Sequence, residues 1–498
     1  MERINRLRSH LAASPAPRSS PTTLVSDVIL APPSGDRAVY DTVLTPEAIA
    51  FVAELAAVFQ TDVEKIEQGN WRPDFLEDTR EIREDSWTID WVPEVLRDRR
   101  VDVGDVSPAK TELLLRALNS GAQGVQVDFD DGHCPTWTNT LMGHKNVMEA
   151  ARGQLQVPSV GLKLVQDPAL LIVRPRAWNM DEPNMLVNGV VVPGAIFDFA
   201  MHFFHNGRVL LDKGTGPFLY LPKLEGYREA RLWERIFLYS EQRLGMSRGS
   251  IKATVLIENI FAAFEMDEIL YTLRHYSSGL NCGMWDYTAS IVVNFRNSRE
   301  FVLPDRQQYV SMKSEFLRSY MELLIETCKR RSAPATTGMV PFVLSQLPAS
   351  LSEEVAIERA KEAKRLEALA GSDGALVYDL KLVKPIQEVF AEVAKVKLSQ
   401  QSGIQSTFDG PSANKKNLRQ QLLSVPTGRV TRQSVDANIR VVLSYVLEWL
   451  SGNGTAVVNG CVEDSATAEI SRAQLWQWIH HQTPLEDNIS GTKQPVTA

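Results

Sequence analysis

Short apolar or alternating runs recur between residues 124 and 295: "GVQVDF" (124–129), "GLKLV" (161–165), "LLIVRP" (170–175), "FLYLPK" (218–223), "ATVLIE" (253–258) and "SIVVNF" (290–295). Helical stretches such as "REARLWERIFLYSEQRL" (228–244) join several of them. Strands alternating with helices pair in parallel through crossovers, so this texture calls for a parallel sheet covered by helices, an α/β fold. About 220 residues of it suit a closed (β/α)8 barrel better than two open sheets. Several runs end in a polar or charged residue, namely Asp128, Arg174 followed by Arg176, Lys223 and Glu258. The C-terminal strand ends of such a barrel form one face, where these charges would converge.

Outside this region the sequence is mainly helical. "TPEAIAFVAELAAVFQ" offers Thr45 as N-cap, Pro46 in the first turn and apolar residues at helical spacing. The charged helix 352–371 ends at Gly371, a natural C-cap, and 396–416 is polar and reads as a linker or mobile loop. With 498 residues, two to four domains are expected. A net charge of −8 argues against a broad nucleic-acid surface but leaves room for a local basic pocket. Four widely spaced cysteines exclude a disulfide framework and fit a reducing compartment, and no apolar run reaches the ~18 residues of a membrane span. Near the start, "RINRLRSHL" (Arg3 to Leu11) has Arg-Ile, five residues, then His-Leu, and looks like an N-terminal peroxisomal import signal read by a receptor.

Four constellations carry chemical potential. Glu258 and Asp286 stand 28 residues apart, the spacing of successive barrel strand ends with one helix between. Two carboxylates with open positions suit Mg²⁺, and structural salt bridges would use the same residues. Arg174 and Arg176 flank Pro175; in extended chain they share a face, and guanidiniums bind carboxylates or stabilise an oxyanion. "VDFDDGHCPTW" (127–137) gathers Asp128, Asp130 and Asp131 at a strand end, as a cation site or a polar turn, with His133 and Cys134 read as structural. Finally, "CVEDSATAEISRAQLWQWI" (461–479) opens with Glu463 and Asp464. Asp464 suits a helix N-cap, Glu463 suits the helix dipole, and Ala466, Ile470, Ala473, Trp476 and Ile479 form an apolar stripe.

Taken in order, "LTPEAIAFVAEL", "DTREIREDSW", "DRRVDV", "ALNSGAQGVQVDFDDGHCPTWTN", "LIVRPRAWN", "LPKLEGYREARLWERIF", "ATVLIENIFAAFEMDEILYTLR", "GLNCGMWDY" and "EDSATAEISRAQLWQWI" resemble malate synthase, in its shorter peroxisomal and bacterial form. The resemblance implies a TIM barrel with an N-terminal helical clasp, an inserted α/β region and a C-terminal helical domain. It also implies condensation of acetyl-CoA with glyoxylate to malate and CoA, a step of the glyoxylate cycle, with Mg²⁺. By motif, Glu258 and Asp286 would be metal ligands, Arg176 the catalytic arginine and Asp464 the general base. Asp128, Asp130, Arg174 and Glu463 would lie around the metal or substrate. The corresponding division is a leader at 1–36, the clasp at 37–110, the barrel at 111–345, the barrel's end with flanking helices at 346–395, a linker at 396–416, and a shortened C-terminal domain at 417–498. Glyoxylate, acetyl-CoA and the peroxisomal import receptor are the implied partners, with a homo-oligomer left open. A cytoplasmic location is the alternative. Two departures bear on the acetyl-CoA pocket: Thr337 in "TTGM", where a Cβ would obstruct a close backbone approach, and "DGALVYDL" (373–380), which lacks the family's Trp and His-Pro. They keep two other readings in play, an impaired paralogue with a binding role and an acyl-CoA lyase or synthase acting on another 2-oxo acid.

Overall fold

The computed structural model describes residues 25–66, 72–400, 415–486 and 494–497. Its centre is a closed parallel barrel of strands β1 (Val101–Val106), β2 (Gly124–Asp128), β3 (Leu170–Arg174), β4 (Phe218–Leu221), β5 (Lys252–Ile257), β6 (Ser277–Cys282), β7 (Ala335–Val340) and β8 (Gly374–Val377). Each strand pairs with the next and β8 closes on β1, the order of a TIM barrel. β1, β2, β5 and β6 are buried along their whole length because helices cover one face and the packed interior the other. Arg99 closes the N-terminal end of the interior, donating to Asp102 at 2.9 Å and to the Tyr220 hydroxyl at 2.8 Å.

Three features differ from the sequence reading. "SIVVNF" lies in the helix Met284–Asn294, where Ile291 and Val292 are buried; tertiary packing overrides the β-propensity of this run. "GLKLV" contributes only the two-residue strand Leu162–Lys163 of a small hairpin outside the barrel. β1 lies within 37–110, the expected clasp, whereas β8 lies in 346–395, the expected end of the barrel. β1 carries two acids and a glycine and β8 has only four residues, so neither presents a strong apolar period.

The helix Pro46–Ile66 packs on the barrel helices Gly194–Lys213 and Tyr227–Arg243, and Thr45 Oγ1 accepts from the Ala48 amide as its position predicts. Between β3 and the helix at 194–213 the chain forms two antiparallel strands, Asp181–Val187 and Val190–Pro193, joined at the edge by Val28–Leu30. Gly371 ends its helix in the left-handed conformation, as read from the sequence. The import-like segment Arg3–Leu11 and residues 401–414 of the expected linker lie outside the described residues. Among the described residues no single helix is long and apolar enough to cross a membrane.

The C-terminal part comprises the helices Arg432–Leu450 and Ser465–His480, with a hairpin of Ala456–Val458 and Cys461–Glu463 between them. It is fastened over the barrel mouth from two sides. After β7, the Val462 amide donates to the Pro341 carbonyl and the Val343 amide to the Gly460 carbonyl, extending the hairpin by backbone pairing. After β2, Gly454 lies on the Gly132–His133 backbone so closely that a Cβ there would stand 2.3 Å from the Gly132 carbonyl carbon. The Trp478 indole and the Gln474 and Gln477 amides then cap carbonyls of the segment 301–304.

Candidate active site

The C-terminal ends of six strands deliver polar side chains to one face. Asp105 is the next-to-last residue of β1, Asp128 ends β2, and Asp130 and Asp131 follow it. Arg174 ends β3, Lys223 stands two residues beyond β4, and Glu258 follows β5. Asp286 is in the first turn of the helix after β6. Together with Gln126, Asn281 and Asp464, five of these (Asp105, Asp131, Arg174, Glu258 and Asp286) line a cleft of about 820 Å³.

Asp131, Glu258 and Asp286 each offer an oxygen within 4.8 Å of the others. Gly283 lets them converge, because a Cβ at that position would lie 2.2 Å from Glu258 Cγ. Glu258 and Asp286 are thus brought together as their spacing implies, and Asp131 is the third member that spacing did not single out. Its signal was the cluster of acids after β2.

The two arginines part company. Arg174 pairs with Asp128 through Nη2 at 2.5 Å and Nε at 2.7 Å, reaches Asp105 at 3.2 Å, and turns Nη1 to Asp131 at 3.1 Å and Glu258 at 3.8 Å. Arg176 does not reach the cleft. It is 1% exposed and held by Asp198 through Nε and Nη2, both at 2.8 Å, and by Glu182 at 2.9 Å. The strand ends at Arg174 and Pro175 redirects the chain, so the shared face expected of residues i and i+2 does not persist. Asp128 is saturated by Arg174 and by the amides of Asp130 and Gly132. Asp130 accepts from the Ala177 amide at 2.9 Å and from Lys223 Nζ at 2.9 Å. Glu463 faces Arg306 at 3.5 Å rather than the cleft.

Asp464 caps its helix as the local pattern implies. It is the N-cap of the helix at 465–480, with Oδ1 accepting from the Thr467 amide at 2.9 Å while Thr467 Oγ1 accepts from the Asp464 amide. It also lines the cleft, and its neighbour Ser465 donates to Asp131. His133 and Cys134 are buried and structural as read: His133 Nδ1 is 3.0 Å from the Ser107 hydroxyl, and Cys134 donates to the Trp449 carbonyl. Thr337 does not line the cleft; its hydroxyl is engaged by Glu367 and the Gly374 carbonyl. In the altered stretch after 373, Leu376 lines the cleft and Asp379 accepts from the Leu344 amide.

The charge balance of the mouth is uneven: among the described residues, Asp105, Asp128, Asp130, Asp131, Glu258, Asp286 and Asp464 face two cations, Arg174 and Lys223. Burial raises Glu258 to about 7, and burial with neighbouring carboxylates also raises Asp105, Asp130, Asp286 and Asp464. Asp131 goes down, to about 2: burial opposes its charge, but Lys223 and Arg174 outweigh it. Acids that crowd one another in a poorly solvated site hold protons unless a further cation balances their charge. The donor set is all carboxylate oxygen, which fits a hard divalent ion such as Mg²⁺.

The cleft is also lined by the apolar Met284, Trp285, Met312 and Phe342 and by Lys313, Arg318 and Arg359, of which Lys313 pairs with Glu362 and Arg318 with Glu322.

Two family models match the chain, the malate synthase TIM barrel domain over residues 170–419 and the malate synthase C-terminal domain over 429–497. Malate synthase of Myxococcus xanthus is 41% identical over 467 residues, covering 90% of this chain and 83% of that protein. Malate synthase A of Escherichia coli is 38% identical over 465 residues, covering 91% and 85%. The glyoxysomal malate synthase of Candida tropicalis is 37% identical over 476 residues, covering 91% and 84%.

Proposed function

The chain belongs to the malate synthase family and is an acyltransferase, and from that premise we propose that its cleft condenses acetyl-CoA with glyoxylate and releases malate and CoA. The observation that carries the reading is convergence: Asp464, from the C-terminal part, lines the same cleft as Arg174 and the triad Asp131, Glu258 and Asp286.

Each group has a task set by the chemistry. A thioester methyl is a very weak acid, so it gives up a proton only to a well-placed base beside a group that stabilises the enolate oxygen. Asp464 is that base. Its Oδ1 is occupied by the Thr467 amide, which fixes the carboxylate and leaves Oδ2 for the methyl proton. Burial and Asp131 raise its pKa, which strengthens it as a base. Arg174, and not Arg176, supplies the positive charge to the enolate oxygen, because Arg174 is the arginine that lines the cleft. Asp128 keeps its guanidinium in plane from behind. Asp131, Glu258 and Asp286 would hold Mg²⁺, which when bound polarises the glyoxylate carbonyl as a Lewis acid. Met284, Trp285, Met312 and Phe342 take the pantetheine arm, and Lys313, Arg318 and Arg359 take CoA phosphates.

Release of free CoA thiol from acetyl-CoA tests this reading. Release that needs both glyoxylate and Mg²⁺ supports it; release without glyoxylate, or none with every component present, overturns it. We also propose peroxisomal delivery through Arg3–Leu11, in keeping with a glyoxysomal relative. A reporter carrying residues 1–20 should enter peroxisomes, and a cytosolic reporter refutes it.

A further inference from the structure

Lys223 reaches every member of the carboxylate triad. Its Nζ lies 2.7 Å from both oxygens of Asp131 and 3.5 Å from Asp286, and its backbone amide donates to Glu258 Oε2 at 2.8 Å. The same Nζ is 2.9 Å from Asp130, which stands outside the triad and is held on its other oxygen by the Ala177 amide. Lys223 adopts φ +55°, a left-handed conformation that side-chain-bearing residues rarely take without compensation. The bond to Glu258 and the ammonium contacts supply it.

We propose that the Lys223 ammonium is a built-in counter-cation of the triad: it holds the carboxylates together in the metal-free protein and competes with the divalent ion for them. The inference rests on the triad being the metal site. Without some cation, three carboxylates this close, two buried and one half-buried, would repel one another and either protonate or spread. The ammonium prevents that. When a divalent ion enters, the ammonium gives up Asp131 and Asp286 and keeps Asp130, whose fixed carboxylate provides it a position beside the ion. Lys223 is therefore a positioning residue. The metal-free site stays assembled, at the cost of weaker metal affinity.

Calorimetric titration of the full-length protein with Mg²⁺ alone, without substrates, tests this, with thermal unfolding in the presence and absence of Mg²⁺ as second readout. Lys223→Met removes the charge at similar length, and Lys223→Gln keeps polar contacts to the acids. Both variants should bind Mg²⁺ about tenfold more tightly or better, a small part of the Coulomb repulsion between near cations at an effective dielectric of about 20. Both should also show a wider gap in melting temperature between the metal-free and metal-loaded forms than the wild type. A variant that folds only with Mg²⁺ present supports the proposal. Folded variants that bind Mg²⁺ no more tightly than wild type overturn it, as do variants unfolded with and without the ion, since Mg²⁺ would then fail to replace the ammonium. If the wild type itself binds no Mg²⁺, the metal reading of the triad falls, and this inference falls with it; that result is distinct from a wild type that binds and variants that gain nothing.

Discussion

Replacing Asp464 by Asn should separate the two tasks of this side chain. As N-cap, Asp464 contributes one oxygen to the Thr467 amide at 2.9 Å. The Asn carbonyl can accept the same bond, and Asn caps helices as well as Asp does, so stability should change by less than about 0.5 kcal/mol. Asp464→Ala removes the acceptor and should cost about 1 kcal/mol. As base, Asp464 is half-buried beside Asp131 and Arg174, and an amide at that place takes no proton from a thioester methyl. Loss of a positioned base lowers kcat by about 10²–10⁴. Both variants should thus lose activity to a similar extent while only the Ala variant loses stability. CoA thiol release measures the first quantity, and thermal unfolding followed by circular dichroism measures the second. Turnover of Asp464→Asn within tenfold of wild type would refute the base assignment, and an Asn variant as unstable as the Ala variant would refute the cap account.

Five further outcomes follow from the same geometry. Arg176→Met should destabilise the fold by about 3–5 kcal/mol, because Asp198 and Glu182 are left buried without their partner, and should leave kcat of the folded fraction near wild type; Arg174→Lys should stay folded and lose about 10²-fold or more in kcat, read by unfolding and steady-state kinetics. Gly283→Ala pushes a Cβ to 2.2 Å from Glu258 Cγ and should weaken Mg²⁺ binding, measured calorimetrically. Mg²⁺ at 100 times its Kd should stabilise the protein by about 2.7 kcal/mol, and a chelator should remove both that gain and the activity. Burial raises Glu229 from 4.5 to about 8, so the folded state holds its proton more tightly than the unfolded state does. Stability is then complete below pH 4.5 and declines as pH rises toward 8, by up to about 1.4 kcal/mol per pH unit. Glu229→Gln should stabilise the protein at pH 8 and change little at pH 4, as chemical unfolding at the two pH values would record.

How far the sequence reveals this site depends on which periodicities carry information. Strand–helix alternation announced the barrel, and the charges at strand ends, Asp128, Arg174, Lys223 and Glu258, do meet on one face. β1 was less visible because "VDVGDV" gives two of its six positions to Asp102, which closes the barrel's interior, and to Asp105, which enters the cleft. Asp105 has φ +52° and an Oδ2 with no partner among the described residues. Arg174 and Arg176 could not be told apart by spacing, since the outcome turns on where the strand stops and on Asp198, 22 residues from Arg176. The same holds for Asp131: three acids in four positions mark a site, but only the turn after β2, closed by Asp128 accepting from Gly132, decides which one faces Glu258. Asp464 was legible as a cap from local pattern alone. Its place over the barrel is set by contacts of long range, the hairpin on 341–343 and Gly454 on Gly132, which no local pattern encodes.

The most direct test of the account follows the bond that the cleft is proposed to make. Carbon NMR of the full-length protein with acetyl-CoA labelled at the methyl carbon, glyoxylate and Mg²⁺ should show the label at the methylene carbon of malate, with none formed when Asp464→Asn replaces the wild type or when Mg²⁺ is withheld. Label that stays in acetyl-CoA or appears as free acetate, in a wild-type protein that is folded and loaded with Mg²⁺, would contradict it.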